Sequence, residues 1–183
     1  MPNWCHNTIT IKCKPNTAAT VRKAITNSQG EFSFDVIIPY PEVYRQADSR
    51  AEAWRNLPAD KRKDTTPPED GYNHGGYEWC IVNWGTKWDA DNVSLNSDDN
   101  AIYIECDTAW SPPLPVMAAI SELPDVECVT IRYVEPGMVY AGEWTFRNGQ
   151  AVRQMETSEV EEVDKLCREI LDYSFLEGEE LES

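Results

Sequence analysis

Only two histidines, His6 and His74, occur in the 183 residues, and no two of the six cysteines stand in a C-x-x-C spacing. A sequence without a spaced pair of thiolate or imidazole ligands offers no zinc motif. Cys5 and His6 are adjacent, but neighbours in an extended strand point to opposite faces, so they do not make a nucleophile–base pair. No phosphate-cradling loop is present, because Gly75-Gly76 is not followed by Lys and Ser or Thr. Asp89-x-Asp91 begins like a calcium loop, yet Val93 and Ser94 occupy the places that need an oxygen ligand and a glycine. No apolar run approaches the roughly 20 residues that span a bilayer. The N-terminal residues lack a basic segment followed by an apolar one, so no signal peptide is expected and the protein is expected to stay in the cytoplasm. These gaps leave no expected catalytic residue, metal or cofactor. One carboxylate site, built from Asp89, Asp91 and Asp107 on neighbouring strands, stays open for magnesium-dependent chemistry.

What is present is acid. The formal net charge is −16, and it is unevenly spread. Residues 1–86 hold ten acidic and ten basic side chains, whereas residues 87–127 hold nine and one, and residues 156–183 hold eleven and two. Such a field repels nucleic-acid phosphates and draws in basic surfaces. Hydrophobic residues make up 41% of the chain, enough for one well-packed domain. Cys5, Cys13, Cys80, Cys106, Cys128 and Cys167 read as reduced, buried thiols that act as small hydrophobes.

Residues 7–13 alternate as a half-buried strand, with Ile9, Ile11 and Cys13 on one face. Pro15-Asn16-Thr17 then opens a helix to about Asn27, with Val21, Ala24 and Ile25 on a shared face. Residues 32–38 read as a second extended segment, stopped by Pro39 and Pro41. An irregular insertion at about 42–76 follows, with a short helix near 49–56 and the basic patch Lys61, Arg62, Lys63. Residues 77–85 favour a short helix. Two strands flank the turn Ser97-Asp98-Asp99-Asn100, placing Leu95 opposite Ile102 and Val93 opposite Ile104 on the core side. Tyr103, Glu105 and Asp107 take the other face. Ser111-Pro112-Pro113 starts a helix burying Val116, Ala119, Ile120 and Leu123. Strands at 127–134, 138–146 and 150–155 form a meander, with a hairpin at Asn148-Gly149. The last helix, 158–173, has an apolar stripe of Val160, Val163, Cys167, Ile170 and Leu171 and a capping box from Ser158 to Glu161. An acidic tail, Glu177 to Ser183, ends the chain.

Without the insertion the order is β-α-β-β-α-β, which predicts an α+β, ferredoxin-like split βαβ with an antiparallel sheet, extra C-terminal strands and a C-terminal helix. The expected division is a ferredoxin-like domain over residues 1–155 and an acidic helix and tail over 156–183.

Particular strings add to this. Met1-Pro2-Asn3-Trp4-Cys5 with Asn7, Ile38-Pro39, Asn83-Trp84-Gly85-Thr86-Lys87-Trp88-Asp89, Thr108-Ala109-Trp110-Ser111-Pro112-Pro113, and Tyr133 with Glu135-Pro136-Gly137 and Ala141-Gly142 resemble the YubB-like family. That family comprises plasmid- and phage-encoded proteins with a ferredoxin-like domain. The resemblance covers roughly residues 1–150 and implies a fold and a mobile-element origin, but no mechanism.

Two candidate sites result. Asp98, Asp99, Glu105 and Asp107, with Glu159, Glu161, Glu162 and Glu169, are the candidate partner-binding residues, and a host protein with a basic surface is the expected partner. Rows of carboxylates can imitate a phosphate backbone and block a nucleic-acid-handling defence factor; the ordinary alternative is that they only keep the protein soluble. Trp84, Lys87, Trp88, Asp89, Trp110 and Glu135 form the competing candidate, a ligand pocket, against the plainer reading of the tryptophans as core. Ferredoxin-like sheets that bind RNA display aromatics beside basic residues. Tyr103, Glu105 and Asp107 have the wrong sign for that, so direct nucleic-acid binding is not expected. The stripe of the last helix must be buried somewhere, on its own domain or in a homodimer.

Overall fold

The computed structural model describes residues 3–63 and 65–176. In chain order it contains β1 (Trp4–Cys13), α1 (Ala18–Ala24), α2 (Phe34–Ile37), α3 (Glu42–Arg55), α4 (Ala59–Arg62), a 3-10 turn at Tyr72–His74 and α5 (Gly76–Asn83). Then come β2 (Asp91–Ser97), β3 (Ala101–Ala109), α6 (Leu114–Ser121), β4 (Val126–Glu135), β5 (Tyr140–Arg147), β6 (Gln150–Thr157) and α7 (Val160–Leu171). The tail Glu177–Ser183, together with Met1 and Pro2, lies outside the described residues.

β1 is central because both its edges are satisfied: it pairs antiparallel with β3 on one side and β4 on the other. The six strands run in the order β2-β3-β1-β4-β5-β6. The first four, with α1 and α6, make the ferredoxin-like arrangement, and β5 and β6 extend it as an antiparallel meander. Alternation decides the two faces. Ile9 and Ile11 of β1, Ile102 and Ile104 of β3, and Val129 and Ile131 of β4 bury against Val21 and Ile25 and against Val116, Met117 and Ile120. Each such side chain contributes roughly 1.5–3 kcal/mol on leaving water. All six cysteines are free and buried.

The second face carries His6, Thr8 and Thr10 of β1 and Glu105 and Asp107 of β3. α7 lies across one end of it, packing Val163, Leu166 and Cys167 on Val134 and Ala141. The helix thus buries its stripe on its own sheet, which removes the need for a second subunit to cover it. Val160 stays exposed, and Leu166 takes its place in the buried set. Behind α7 the buried Asp164 accepts hydrogen bonds from Arg168 (2.8 Å), the Ser174 hydroxyl (2.8 Å) and the Leu176 amide (3.3 Å). Burial alone raises its pKa, but these donors outweigh it and hold the carboxyl below the usual aspartate range.

Several sequence expectations are corrected by tertiary contacts. Residues 34–37 form a turn of helix rather than strand, because the Asp89 carboxylate caps it from 55 residues away in sequence. α1 stops at Ala24; Ala18 joins Val21 inside, and Ala24 is exposed. The helix expected near 49–56 begins at Glu42 and is 14 residues long. In the β2–β3 hairpin Leu95 faces Ile104 and Ser97 faces Ile102, two residues from the expected register. The Asp98 carboxylate accepts the amides of Asn100 and Ala101, which tightens the turn. A shift of two keeps Leu95, Ile102 and Ile104 on their expected face. A bulge at Asn92-Val93 leaves Val93 exposed instead of paired. α6 also buries Met117 and Ser121, since the added strands cover that flank and Ser121 accepts the Gly149 amide. Ala119 stays partly exposed, and Leu123, just past the helix end, packs on the core only in part. No capping box forms on α7: Glu159 is its N-cap, and Thr157 donates to Glu162 instead.

Candidate functional site

The strings Asn83–Asp89 and Thr108–Pro113 meet in space and fasten to each other. The Thr86 hydroxyl donates to the Ala109 carbonyl (2.9 Å), and the Ser111 hydroxyl donates to the Gly85 carbonyl (2.6 Å). Gly85 has φ of +82°, and a Cβ there would run into the ring of Pro115. Asn7 belongs to the same fastening: its buried amide donates to the carbonyls of Cys5 and Cys106 and to the Thr108 hydroxyl, at 2.8, 3.1 and 2.9 Å. Trp110 adopts φ of 76°, held by its own amide to Asn3, by the Tyr140 hydroxyl on its carbonyl, and by the Lys87 ammonium 3.9 Å over its ring.

Beside this junction lies a cavity of about 270 Å³ lined by Tyr40, Tyr72, Trp84, Trp88, Lys87 and three aspartates. It gathers four of the six residues expected in a ligand pocket: Trp84, Lys87, Trp88 and Asp89. Trp110 touches it only through Lys87. Glu135 does not line it. That residue is buried at the β4–β5 turn, where its carboxylate accepts the amides of Gly137 (3.0 Å) and Met138 (2.6 Å). This acceptor also explains why β5 begins at Tyr140 and not at Met138.

Sequence reasoning missed Asp35 on α2 and Tyr40 just after it, and Arg45, Asp48 and Tyr72, which reach the cavity from the insertion. They have no periodic signal, and only the flanking Pro39 and Pro41 hint that Tyr40 is held in place. Within the cavity the carboxylates are already used. Asp35 accepts the Tyr40 amide and the Arg45 guanidinium, both at 2.7 Å. Asp48 accepts the Tyr72 amide and the Tyr40 hydroxyl. Asp89 accepts the Ser33 hydroxyl (2.6 Å) and the amides of Phe34 (2.7 Å) and Ala90 (2.8 Å). Trp84 donates its indole N–H to the Ile38 carbonyl and sits in the core, while Trp88 remains 37% exposed. Burial pushes the Tyr72 hydroxyl up to about 12 and the Cys80 thiol up to about 11, so both stay protonated at neutral pH. The aromatic rings of Tyr40, Tyr72, Trp84 and Trp88 give the cavity walls suited to stacking.

The carboxylate site considered for magnesium is not assembled. Asp89 turns to α2, Asp91 faces Asp107 across the strands, and Asp107 is taken by His6 (2.5 Å) and by the Asn92 amide (2.8 Å). Among the described residues no group of three His, Cys, Asp or Glu side chains is placed to hold a metal ion.

The eight candidate partner-binding carboxylates separate into three places. Asp98 and Asp99 sit at the β2–β3 turn, Glu105 and Asp107 on the second face of the sheet, Glu159 at the N-cap of α7, and Glu161, Glu162 and Glu169 on that helix. Asp98 is spent on its own turn and accepts the Tyr103 hydroxyl; Glu162 accepts the Thr157 hydroxyl; Glu169 pairs with Arg132. Asp99, Glu105, Glu159 and Glu161 are exposed. The two acid-rich stretches converge at one point, where Ile170 and Leu171 of α7 and Glu105 and Asp107 of β3 line a cleft with His6.

A family model described as the ferredoxin-like domain in Api92-like protein matches residues 80–172, just over half of the chain. The chain belongs to the Api92-like family. The matched segment runs from α5 to the end of α7, so it takes in the acidic helix that the string resemblance left outside. The fold is also that of protein api92 from Yersinia pseudotuberculosis, known from a crystal structure. The two share 12% sequence identity with a TM-score of 0.56, over 86% of this chain and 98% of that one. At that identity the likeness speaks for the fold alone. A search of curated proteins gives no match. No helix among the described residues is long and apolar enough to cross a membrane.

Proposed function

We propose that this Api92-like chain is a non-enzymatic binding protein that docks on a basic surface of another protein through the second face of its sheet and α7. The observation that carries this reading is the convergence of the two acid-rich stretches. Segments more than 50 residues apart in sequence meet beside His6, where Ile170 and Leu171 at the C-terminal end of α7 share a cleft with Asp107 and the exposed Glu105 of the sheet; the exposed Glu159 and Glu161 lie at the opposite end of the same helix. Complementary charge of this kind steers encounter and selects partners more than it adds raw affinity. The YubB-like strings extend the proposal: a phage- or plasmid-borne accessory protein, acting in the host cytoplasm, whose carboxylates occupy a groove built for nucleic acid and so inhibit a defence factor.

Capture from host lysate on the immobilised full chain, at low and at high salt, tests this. One partner with a basic contact surface, lost at high salt and lost in Glu105→Lys with Glu161→Lys, is the expected result. Salt-independent capture, or an acidic partner, refutes it.

A second reading rests on the Tyr40–Tyr72–Trp84–Trp88 cavity, whose aromatic walls suit a small ligand. A thermal-shift screen of metals and nucleotides separates the two. Saturable stabilisation by one compound, abolished in a folded Trp88→Ala variant, favours the ligand reading.

A further inference from the structure

On the other flank of the molecule α6 and the strand meander enclose a larger cavity of about 520 Å³. One wall is Pro112, Leu114 and Pro115; the other is Tyr133, Tyr140 and the stretch Glu156–Ser158 that leads into α7. Among the described residues that line it, Glu156 is the only charged one. The wall at the start of α6 offers no donors to match an anion, because Pro115 has no N–H and the Leu114 amide is bonded to the Pro112 carbonyl. The cavity is therefore apolar around a single carboxylate, inside a protein of net charge −16.

That carboxylate is held in place. The buried Tyr133 hydroxyl (2.7 Å) and the Trp144 indole N–H (3.2 Å) both donate to Glu156 Oε1. Oε2 accepts no hydrogen bond among the described residues. The opening between Tyr133 and Glu156 is kept by Gly142, which faces Tyr133 across the strands; a Cβ there would collide with the Tyr133 hydroxyl. An anchored carboxylate with one oxygen to spare, ringed by proline and tyrosine, has the chemistry to take a planar cation on an apolar stem.

We infer that this cavity receives an arginine side chain of the partner protein, its guanidinium on Glu156 and its stem against Pro112, Pro115 and Tyr140. The inference rests on the docking reading above and makes it specific: a basic partner would place one residue here, where the chain passes from Ser158 directly into the acidic first turn of α7. Arginine fits better than lysine because its flat head stacks on a tyrosine ring while pairing with the carboxylate.

The test is an NMR titration of the full chain with N-acetyl-arginine amide, following the Trp144 indole N–H. A saturable shift is expected, weakened about tenfold in Glu156→Gln and abolished in Ser158→Trp, which fills the mouth and leaves the carboxylate. N-acetyl-glutamate amide should give none. No saturable shift, an equal response to the glutamate compound, or unchanged binding in Glu156→Gln overturns the site. With the captured partner, Glu156→Gln should weaken binding by a similar factor; unchanged capture overturns the arginine assignment even where the small probe binds. Failure of the docking reading looks different, since then Glu105→Lys and Glu161→Lys leave capture untouched while the probe still titrates.

Discussion

The two cavities differ in what their carboxylates already do. Around Trp84 and Trp88, three aspartates are present and all are consumed by the protein's own amides, hydroxyls and Arg45. Around Tyr133 there is one glutamate, and its donors crowd onto a single oxygen. The first arrangement looks richer in chemistry and has less to offer a ligand. Spare hydrogen-bonding capacity, not the number of polar residues, distinguishes a binding site from an internal brace.

Substitutions break or sharpen that contrast. The largest effect is expected at Asp89, where Asp89→Ala orphans the cap of α2 and the Ser33 hydroxyl; a loss of about 3 kcal/mol should appear as a lower denaturant midpoint. Gly142→Ala attacks the other cavity by forcing the Tyr133 hydroxyl off Glu156, and about 2 kcal/mol of destabilisation is expected from overpacking. Retention of full stability there would mean that Tyr133 has room to move and that the carboxylate is less firmly held than its geometry implies. Glu156→Gln keeps an acceptor for both donors, so its melting should stay within about 1 kcal/mol of the parent. A larger drop would place Glu156 among the internal braces, like Asp89. The smallest change belongs to Lys87→Met, which removes a half-exposed cation from the face of Trp110 and should cost about 0.5 kcal/mol by chemical denaturation.

Much of the frame was legible because it follows from local patterns. The period-2 burial of Ile9 and Ile11 and of Val129, Ile131 and Tyr133, the Asn148-Gly149 turn and the stripe of the last helix placed most of the β-α-β-β-α-β order on the right elements. The errors share one cause. Residues 32–38 carry an extended pattern, and only a carboxylate delivered from Asp89 makes part of them helical. The hairpin register depended on how tightly Asp98 draws its turn, which composition does not reveal. Of the residues expected in a pocket, Trp84, Lys87, Trp88 and Asp89 of the shared string line one cavity, whereas Glu135 lies elsewhere because a turn claims it. Glu156 drew no attention at all: it is one acid among many in an acidic stretch, and its distinction comes only from Tyr133 and Trp144 across the sheet.

By itself the sequence determined which segments alternate, which repeat at helical spacing and where the negative charge accumulates, because those properties depend on residues a few positions apart. The tertiary structure alone decided which carboxylates are spent and which are left over. That choice depends on donors brought from distant segments, and a hydrogen bond is set by distance and angle once the chain has closed.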